Sequence, residues 1–142
     1  MRSKLNNSTR IRVFCVDDHP LLREGLATLI NNTPDMVLVA EASNGREAIQ
    51  GFREHRPDVT LMDLRLPDMS GIDALIAIRT EFPEVRIIVL TTFEDDVEIQ
   101  RAFEAGAHGY LIKGTTPSEL RDVIREVNAG KKRIPSQMDL EK

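Results

Sequence analysis

Five short, mostly apolar runs punctuate the chain, and polar or amphipathic stretches separate them. Short apolar runs bounded by turn residues are typical of strands buried on both faces of a parallel sheet. We therefore predict five buried strands, over 11–16, 37–40, 59–62, 85–90 and 110–112.

Helical periodicity fills the stretches between these runs. Leu22, Leu26 and Leu29 recur at the spacing of one helix face, and the last stretch shows the same pattern. Capping-box patterns at Asn44–Glu47 and Thr116–Glu119 indicate where two of the helices begin. Five helices are predicted, over roughly 20–30, 44–53, 72–81, 95–105 and 116–129.

The predicted strands and helices alternate as a βα unit repeated five times. Such alternation favours parallel strands joined by right-handed crossovers, with helices on both faces of the sheet. The predicted fold class is therefore α/β, a (βα)5 doubly wound parallel sheet over residues 10–130. Residues 1–9 are expected to form a disordered lead, and residues 131–142 a tail or the start of a linker.

Size and charge restrict the classes of function. The chain has 142 residues, enough for one domain, and its net charge of −4 argues against direct binding of nucleic acid. Cys15 has no second cysteine to pair with and is expected to be a small buried residue. Because no apolar stretch approaches the roughly 20 residues of a membrane span, we expect a cytoplasmic protein.

Charged residues directly follow three of the predicted strands. Asp17 and Asp18 come after the first, Asp63 after the third and Lys113 after the fifth. In open α/β sheets the ligand crevice lies beyond the carboxyl ends of the strands, so these groups should converge at one edge. Two carboxylates about 4 Å apart repel by about 4 kcal/mol at an effective dielectric of 20, so three in one pocket require a cation. The pattern predicts an acidic site for a divalent cation and a phosphoryl group.

The residues at these strand ends resemble those of a known family. Asp17-Asp18, Asp63 in the segment LMDLRLPDMSG, Thr91, Tyr110 and Lys113 follow one another as they do in receiver domains of two-component response regulators. The segments VDDHPLLREGL and LIKGTTPSEL are further similar to the NarL/FixJ-type branch, whose members carry a C-terminal helix-turn-helix. The resemblance implies the strand order 2-1-3-4-5, which is the flavodoxin-like and CheY-like arrangement.

The resemblance also implies a role for each residue of a phosphorylation switch. Asp63 is the expected phosphoacceptor, and Lys113 is expected to pair first with Asp63 and then with the phosphoryl oxygens. Thr91 is expected to donate its hydroxyl to a phosphoryl oxygen. Tyr110 is expected to change rotamer as Thr91 moves inward.

Magnesium is the expected cofactor, because Mg²⁺ prefers oxygen ligands and needs only one or two carboxylates from the protein. The resemblance assigns direct ligation to Asp18, Asp63 and the backbone carbonyl of Arg65. Asp17 is expected to act mainly through water.

Three residues fall outside this pattern. Gly114 follows Lys113 where the family often has a proline with a cis peptide bond. A cis bond at a non-proline residue costs about 2.5–4 kcal/mol, so trans or strained geometry is expected there. His19 and His108 lack a second histidine at ligand spacing, and we interpret both as structural.

The leading hypothesis is a switch, not an enzyme, that takes a phosphoryl group from a histidine kinase or phosphotransfer protein and has intrinsic self-phosphorylation and dephosphorylation chemistry. It is expected to control transcription through a DNA-binding output domain outside this chain, and a phosphorylation-dependent homodimer is left open. One alternative is a stand-alone receiver acting by protein–protein contact. Another is an aspartyl-phosphate phosphohydrolase, which would need an aspartate as general acid where this chain has Arg65. A flavin-binding domain of the same topology would need a phosphate-binding loop of Gly, Ser and Thr after the first strand, where this chain has Asp17-Asp18-His19-Pro20.

Overall fold

Strands and helices alternate along residues 9–92 and 96–133, the part of the chain that the computed structural model describes. The strands are β1 (Ile11–Val16), β2 (Met36–Ala42), β3 (Val59–Asp63), β4 (Ile87–Thr91) and β5 (Gly109–Ile112). The helices are α1 (Pro20–Asn31), α2 (Gly45–His55), α3 (Gly71–Glu81), α4 (Asp96–Glu104) and α5 (Pro117–Asn128). All strand pairs are parallel and the order is β2-β1-β3-β4-β5, which confirms the predicted fold class and strand order.

The observed bounds differ from the predicted ones by a few residues. β2 is longer than predicted because it pairs along the whole of β1. β4 starts two residues later than predicted, because Val85 still belongs to the turn after α3, where its N–H donates to Phe82. The lead at 1–8, the predicted start of α4 at residue 95 and the tail beyond 133 lie outside the described residues. Within the described ranges the longest helices have 12 residues, and none is long and apolar enough to cross a bilayer.

Both faces of the sheet are buried, as the continuous apolar runs of its strands indicate. One core layer contains Phe14 and Met62 and is covered by α2, α3 and α4. The opposite layer contains Val13 and Leu61 and is covered by α1 and α5. Cys15 is buried in β1, as predicted, and burial raises the pKa of its thiol to about 12, so it is uncharged at neutral pH.

Side-chain caps fix the beginnings of three helices. Asn44, Ser70 and Thr116 each accept a hydrogen bond from the backbone N–H three residues later, at 2.8, 3.0 and 3.1 Å. The caps at Asn44 and Thr116 confirm the helix starts predicted from the capping patterns, whereas the one at Ser70 was not anticipated.

The chain stays attached to the domain for three residues after Gly130. The backbone N–H of Arg133 donates to the carbonyl of His108 at 2.8 Å, at the entrance to β5. Its guanidinium bonds to Glu126 at 2.7 Å and to Glu119 at 2.9 Å, both on α5. Arg133 therefore fastens the segment that leaves α5 to both α5 and the neighbouring edge strand.

Candidate functional site

The carboxyl ends of β1, β3 and β4 bring the predicted site residues to one edge of the sheet. Asp63 ends β3 in register with Leu90, and Thr91 ends β4 in register with Ile112. Asp17 follows β1 directly and is fully buried, while Asp63 is only 2% exposed. Parallel pairing thus produces the convergence that the sequence predicted.

Lys113 reaches from the end of β5 into this edge. Its Nζ lies 2.8 Å from Asp63 Oδ2 and 3.2 Å from Asp17 Oδ2. Burial lowers the pKa of Lys113, but the hydrogen bond to Asp63 and the charges of both aspartates outweigh burial, so its pKa is raised overall. Lys113 is therefore a charged ammonium group at neutral pH.

The loop after Lys113 differs from the family pattern at Gly114, as expected. The described residues contain no cis peptide bond, so the Lys113–Gly114 bond is trans. Gly114 adopts a φ of 92°, which favours glycine, whereas proline fixes φ near −65° and could not replace it without changing the loop. Lys113 reaches Asp63 with this different loop.

Asp63 is a buried carboxylate held by two hydrogen bonds. Its Oδ2 accepts from Lys113, and its Oδ1 accepts from the backbone N–H of Arg65 at 3.0 Å. Burial raises the pKa of Asp63 and outweighs these two hydrogen bonds, which lower it. Charging this carboxyl group therefore costs free energy, which a nearby cation would offset.

Asp17 and Asp18 complete the acidic edge. Asp17 Oδ1 accepts the backbone N–H of His19 at 2.8 Å, and the side chain of Asp18 is 35% exposed. Among the described residues, Asp17 Oδ2 and Asp18 Oδ1 are buried oxygens that make no hydrogen bond, although Lys113 is in ion-pair contact with Asp17. Buried oxygens of this kind suit a divalent cation, so the residues present fit a metal ion.

Sequence analysis missed one member of this cluster. His19 was interpreted as structural, yet one ligand atom of its ring lies with one oxygen each of Asp17, Asp18 and Asp63 inside a group spanning no more than 4.8 Å. A rule that looks for a second histidine cannot find it, because its companions are carboxylates. His108 lies at the other end of β5, where burial and the charge of Lys132 lower its pKa.

The loop between β3 and α3 is tied down on both sides. Asp68 accepts the backbone N–H groups of Gly45 and Arg46 at 2.7 and 3.0 Å, at the start of α2. Gly71 lies so close to Asp63 that a Cβ there would overlap the Asp63 carbonyl oxygen and approach Leu64 Cα to 2.8 Å. These contacts fix the backbone that positions Asp63.

The remaining predicted residues lie on β4, on β5 and in the loop after β3. Thr91 is buried, 5% exposed, and its carbonyl accepts the N–H of Lys113 at 2.8 Å. Tyr110 is partly buried in β5 and packs against the core layer under α4. Arg65 is 73% exposed, and its guanidinium lies 3.6 Å from Glu98 on α4.

Together these groups form a buried carboxylate beside an ammonium group, a hydroxyl-bearing residue and two further carboxylates. A carboxylate in such surroundings can act as a nucleophile towards phosphorus, with positive charge placed to receive the phosphoryl oxygens. The position two residues past Asp63 carries a cation, Arg65, and no acidic group that could protonate a leaving group there.

Residues 13–125 match the response regulator receiver domain. The response regulator protein VraR of Staphylococcus aureus is 36% identical over 120 residues, which cover 84% of this chain and 57% of VraR. The chain thus spans little more than half the length of this relative.

Solved structures show the same fold. A LuxR-family two-component response regulator from an Aurantimonas species has a TM-score of 0.85 and 39% identity, covering 93% of this chain and 94% of that one. The signal receiver domain of the putative response regulator NarL from Mycobacterium tuberculosis has a TM-score of 0.82 and 30% identity, and the match covers 86% of this chain and 98% of that domain.

Proposed function

This chain belongs to the response regulator receiver domain family, in the branch of the NarL- and LuxR-type regulators, and we propose that Asp63 is its phosphoacceptor. A histidine kinase or phosphotransfer protein is the proposed donor. The observation that carries the proposal is the contact of the buried Asp63 with Lys113 at 2.8 Å, beside two further carboxylates.

The proposed reaction is transfer of a phosphoryl group from phosphohistidine. An oxygen of Asp63 forms a bond to phosphorus as the phosphorus–nitrogen bond breaks, and the leaving imidazole keeps the electron pair and takes a proton from solvent. Lys113 exchanges part of its pairing with the carboxylate for pairing with the phosphoryl oxygens, because a flexible ammonium group can follow the charge. Thr91, one strand away, supplies a hydroxyl to the same oxygens.

Mg²⁺ is the proposed cofactor of this transfer. Asp18, Asp63 and the carbonyl of Arg65 would hold it directly, with Asp17 acting through water. The backbone N–H of His19, which donates to Asp17 Oδ1, supports this indirect role, because it already engages that oxygen. When bound, Mg²⁺ neutralises charge on the carboxylates and on the phosphoryl group.

The output of the switch is proposed by similarity to its relatives. LuxR-family response regulators include one described as DNA-binding, from Staphylococcus aureus, which is 27% identical to this chain. We assign this chain the same kind of role, in which phosphorylation changes the surface presented by α4, β5 and α5 and thereby controls a DNA-binding domain. The described residues contain no such domain.

Intact mass measurement after incubation with acetyl phosphate and magnesium tests the acceptor. We expect a single phosphoryl addition to the parent, none to Asp63→Asn and none without a divalent cation. Asp73→Asn is a matched control, because Asp73 is an exposed carboxylate in the first turn of α3 and should leave the addition unchanged. Undiminished addition to Asp63→Asn would refute the assignment.

A further inference from the structure

The ring of His19 is turned towards the acidic site. Its Nδ1 lies 2.9 Å from Asp17 Oδ1 and 3.3 Å from Asp18 Oδ1. With one oxygen of Asp63, these ligand atoms all lie within 4.8 Å of one another. Ligand atoms at about 2.0–2.2 Å from one tetrahedral ion lie about 3.3–3.6 Å apart, so side-chain movements of about an ångström would bring all four groups onto a shared ion.

A buried oxygen points independently to a cation at this place. Asp17 is fully buried, and its Oδ2 makes no hydrogen bond to any described residue. The nearby ammonium group of Lys113, at 3.2 Å, is in ion-pair contact only. Asp17 shares this single ammonium group with Asp63, so a metal ion between the carboxylates would add positive charge where two buried carboxylates now depend on one cation.

The ammonium group of Lys113 already occupies the position of a cation next to the imidazole. Its Nζ lies 3.4 Å from His19 Nδ1 and 2.8 Å from Asp63 Oδ2. With its proton on Nδ1 the ring donates to Asp17 Oδ1, whereas with its proton on Nε2 the lone pair of Nδ1 can accept from the ammonium group, and this second tautomer is also the one that binds a metal through Nδ1. The ring is therefore placed to direct a lone pair at positive charge held by these carboxylates.

We propose that His19 is a metal ligand, and that it adapts this acidic site to a borderline first-row cation such as Zn²⁺ or Co²⁺. The inference rests on the metal site of the proposed function and names the class of ion that the site selects. Imidazole suits zinc and its neighbours, whereas Mg²⁺ is bound through oxygen. Zn²⁺ would gain a nitrogen ligand from His19, and Mg²⁺ would bind through the carboxylates with or without it.

Isothermal titration of the whole chain with Zn²⁺ and, separately, with Mg²⁺ tests this selectivity. We expect His19→Ala and His19→Gln each to weaken Zn²⁺ binding by about tenfold or more while changing Mg²⁺ binding less than about twofold. Both variants should fold, because the His19 side chain is 63% exposed and makes no capping hydrogen bond at α1. His55→Ala is the control, since His55 lies at the end of α2 and pairs only loosely with Glu54, at 3.9 Å.

Nuclear magnetic resonance of the imidazole nitrogens adds a direct readout. Zn²⁺ should shift the Nδ1 resonance of His19 and leave that of His55 in place, and excess Mg²⁺ should reverse the shift. Equal Zn²⁺ affinity in the parent and His19→Ala, or a Zn²⁺ signal that Mg²⁺ does not displace, would overturn the proposal. Either result would leave phosphorylation of Asp63 with Mg²⁺ standing, whereas a parent that accepts no phosphoryl group would overturn the proposed function instead.

Discussion

At the scale of single residues, Asp35 and Arg125 show how the surface contributes to stability. Arg125 on α5 donates two hydrogen bonds of 2.9 Å to Asp35, which immediately precedes β2. The hydrogen bond from Arg125 lowers the pKa of Asp35. A carboxyl group whose pKa is lowered by folding stabilises the fold above its unfolded pKa and loses that contribution as the pH falls through its folded pKa.

Asp35→Asn should therefore lower the free energy of unfolding at neutral pH and have little effect in strong acid. The side chains are 47% and 44% exposed, so solvent screening limits the expected loss to about 0.2–1 kcal/mol. Denaturant unfolding at a series of pH values measures it. Asp122→Asn removes a weaker partner of the same arginine, at 4.0 Å, and should cost less. A loss for Asp35→Asn that does not change with pH would show that charge is not its cause.

At the scale of elements, close packing constrains the loop between β3 and α3. Gly71 opens α3 against the backbone of Asp63, and its N–H donates to the carbonyl of Leu64 at 2.8 Å. A side chain at Gly71 would push the loop away from the strand end that carries the acceptor.

Gly71→Ala should therefore destabilise the fold by about 1–3 kcal/mol or more and slow phosphorylation of Asp63. Gly25→Ala is the matched control in a helix, because a Cβ at Gly25 in α1 would meet no atom within 4 Å. That change should raise the free energy of unfolding by about 0.5–1 kcal/mol, because alanine favours the helix more than glycine does. Thermal unfolding and intact mass measure the two effects. If Gly71→Ala were stabilising as well, the loop would be free to shift and the argument from packing would fail.

Across the whole molecule, the proposed switch depends on contacts that exist only with a phosphoryl group in place. Thr91 and Lys113 adjoin Asp63 from β4 and β5, and Tyr110 lies in β5 beside them. A bound group shifts an equilibrium only through contacts that differ between the two states. Two charge-assisted hydrogen bonds of about 1.5–3 kcal/mol each suffice to shift a population by one to a few decades.

Thr91→Ala and Lys113→Ala should accept phosphate to a measurable degree but lose the change transmitted to Tyr110. Beryllofluoride, standing in for the phosphoryl group, allows chemical shifts around α4 and β5 to be compared with those of the parent. Thr92→Ala is the neighbouring control, because Thr92 is exposed just beyond β4. A full parent shift pattern in Thr91→Ala would show that the hydroxyl is not the link.

Sequence alone predicted the fold and most of the acidic edge, because both depend on local patterns. Apolar runs predicted the strands, and a parallel sheet places the carboxyl ends of β1, β3 and β5 at one edge, so Asp63 and Lys113 could be expected to meet. The presence of the His19 ring at this edge could not be predicted, since the direction of the ring depends on the turn after β1. The capping of α2 by Asp68 was also hidden, because the two are 23 residues apart and only the folded loop joins them.

The attachment of Arg133 to Glu119, Glu126 and the carbonyl of His108 joins the segment after α5 to two different elements. Arg133, the last described residue, is thus held at the edge of the sheet as well as on α5. A displacement of β5 would therefore move Arg133 with it, so a change at the edge strand also reaches the segment that leaves α5.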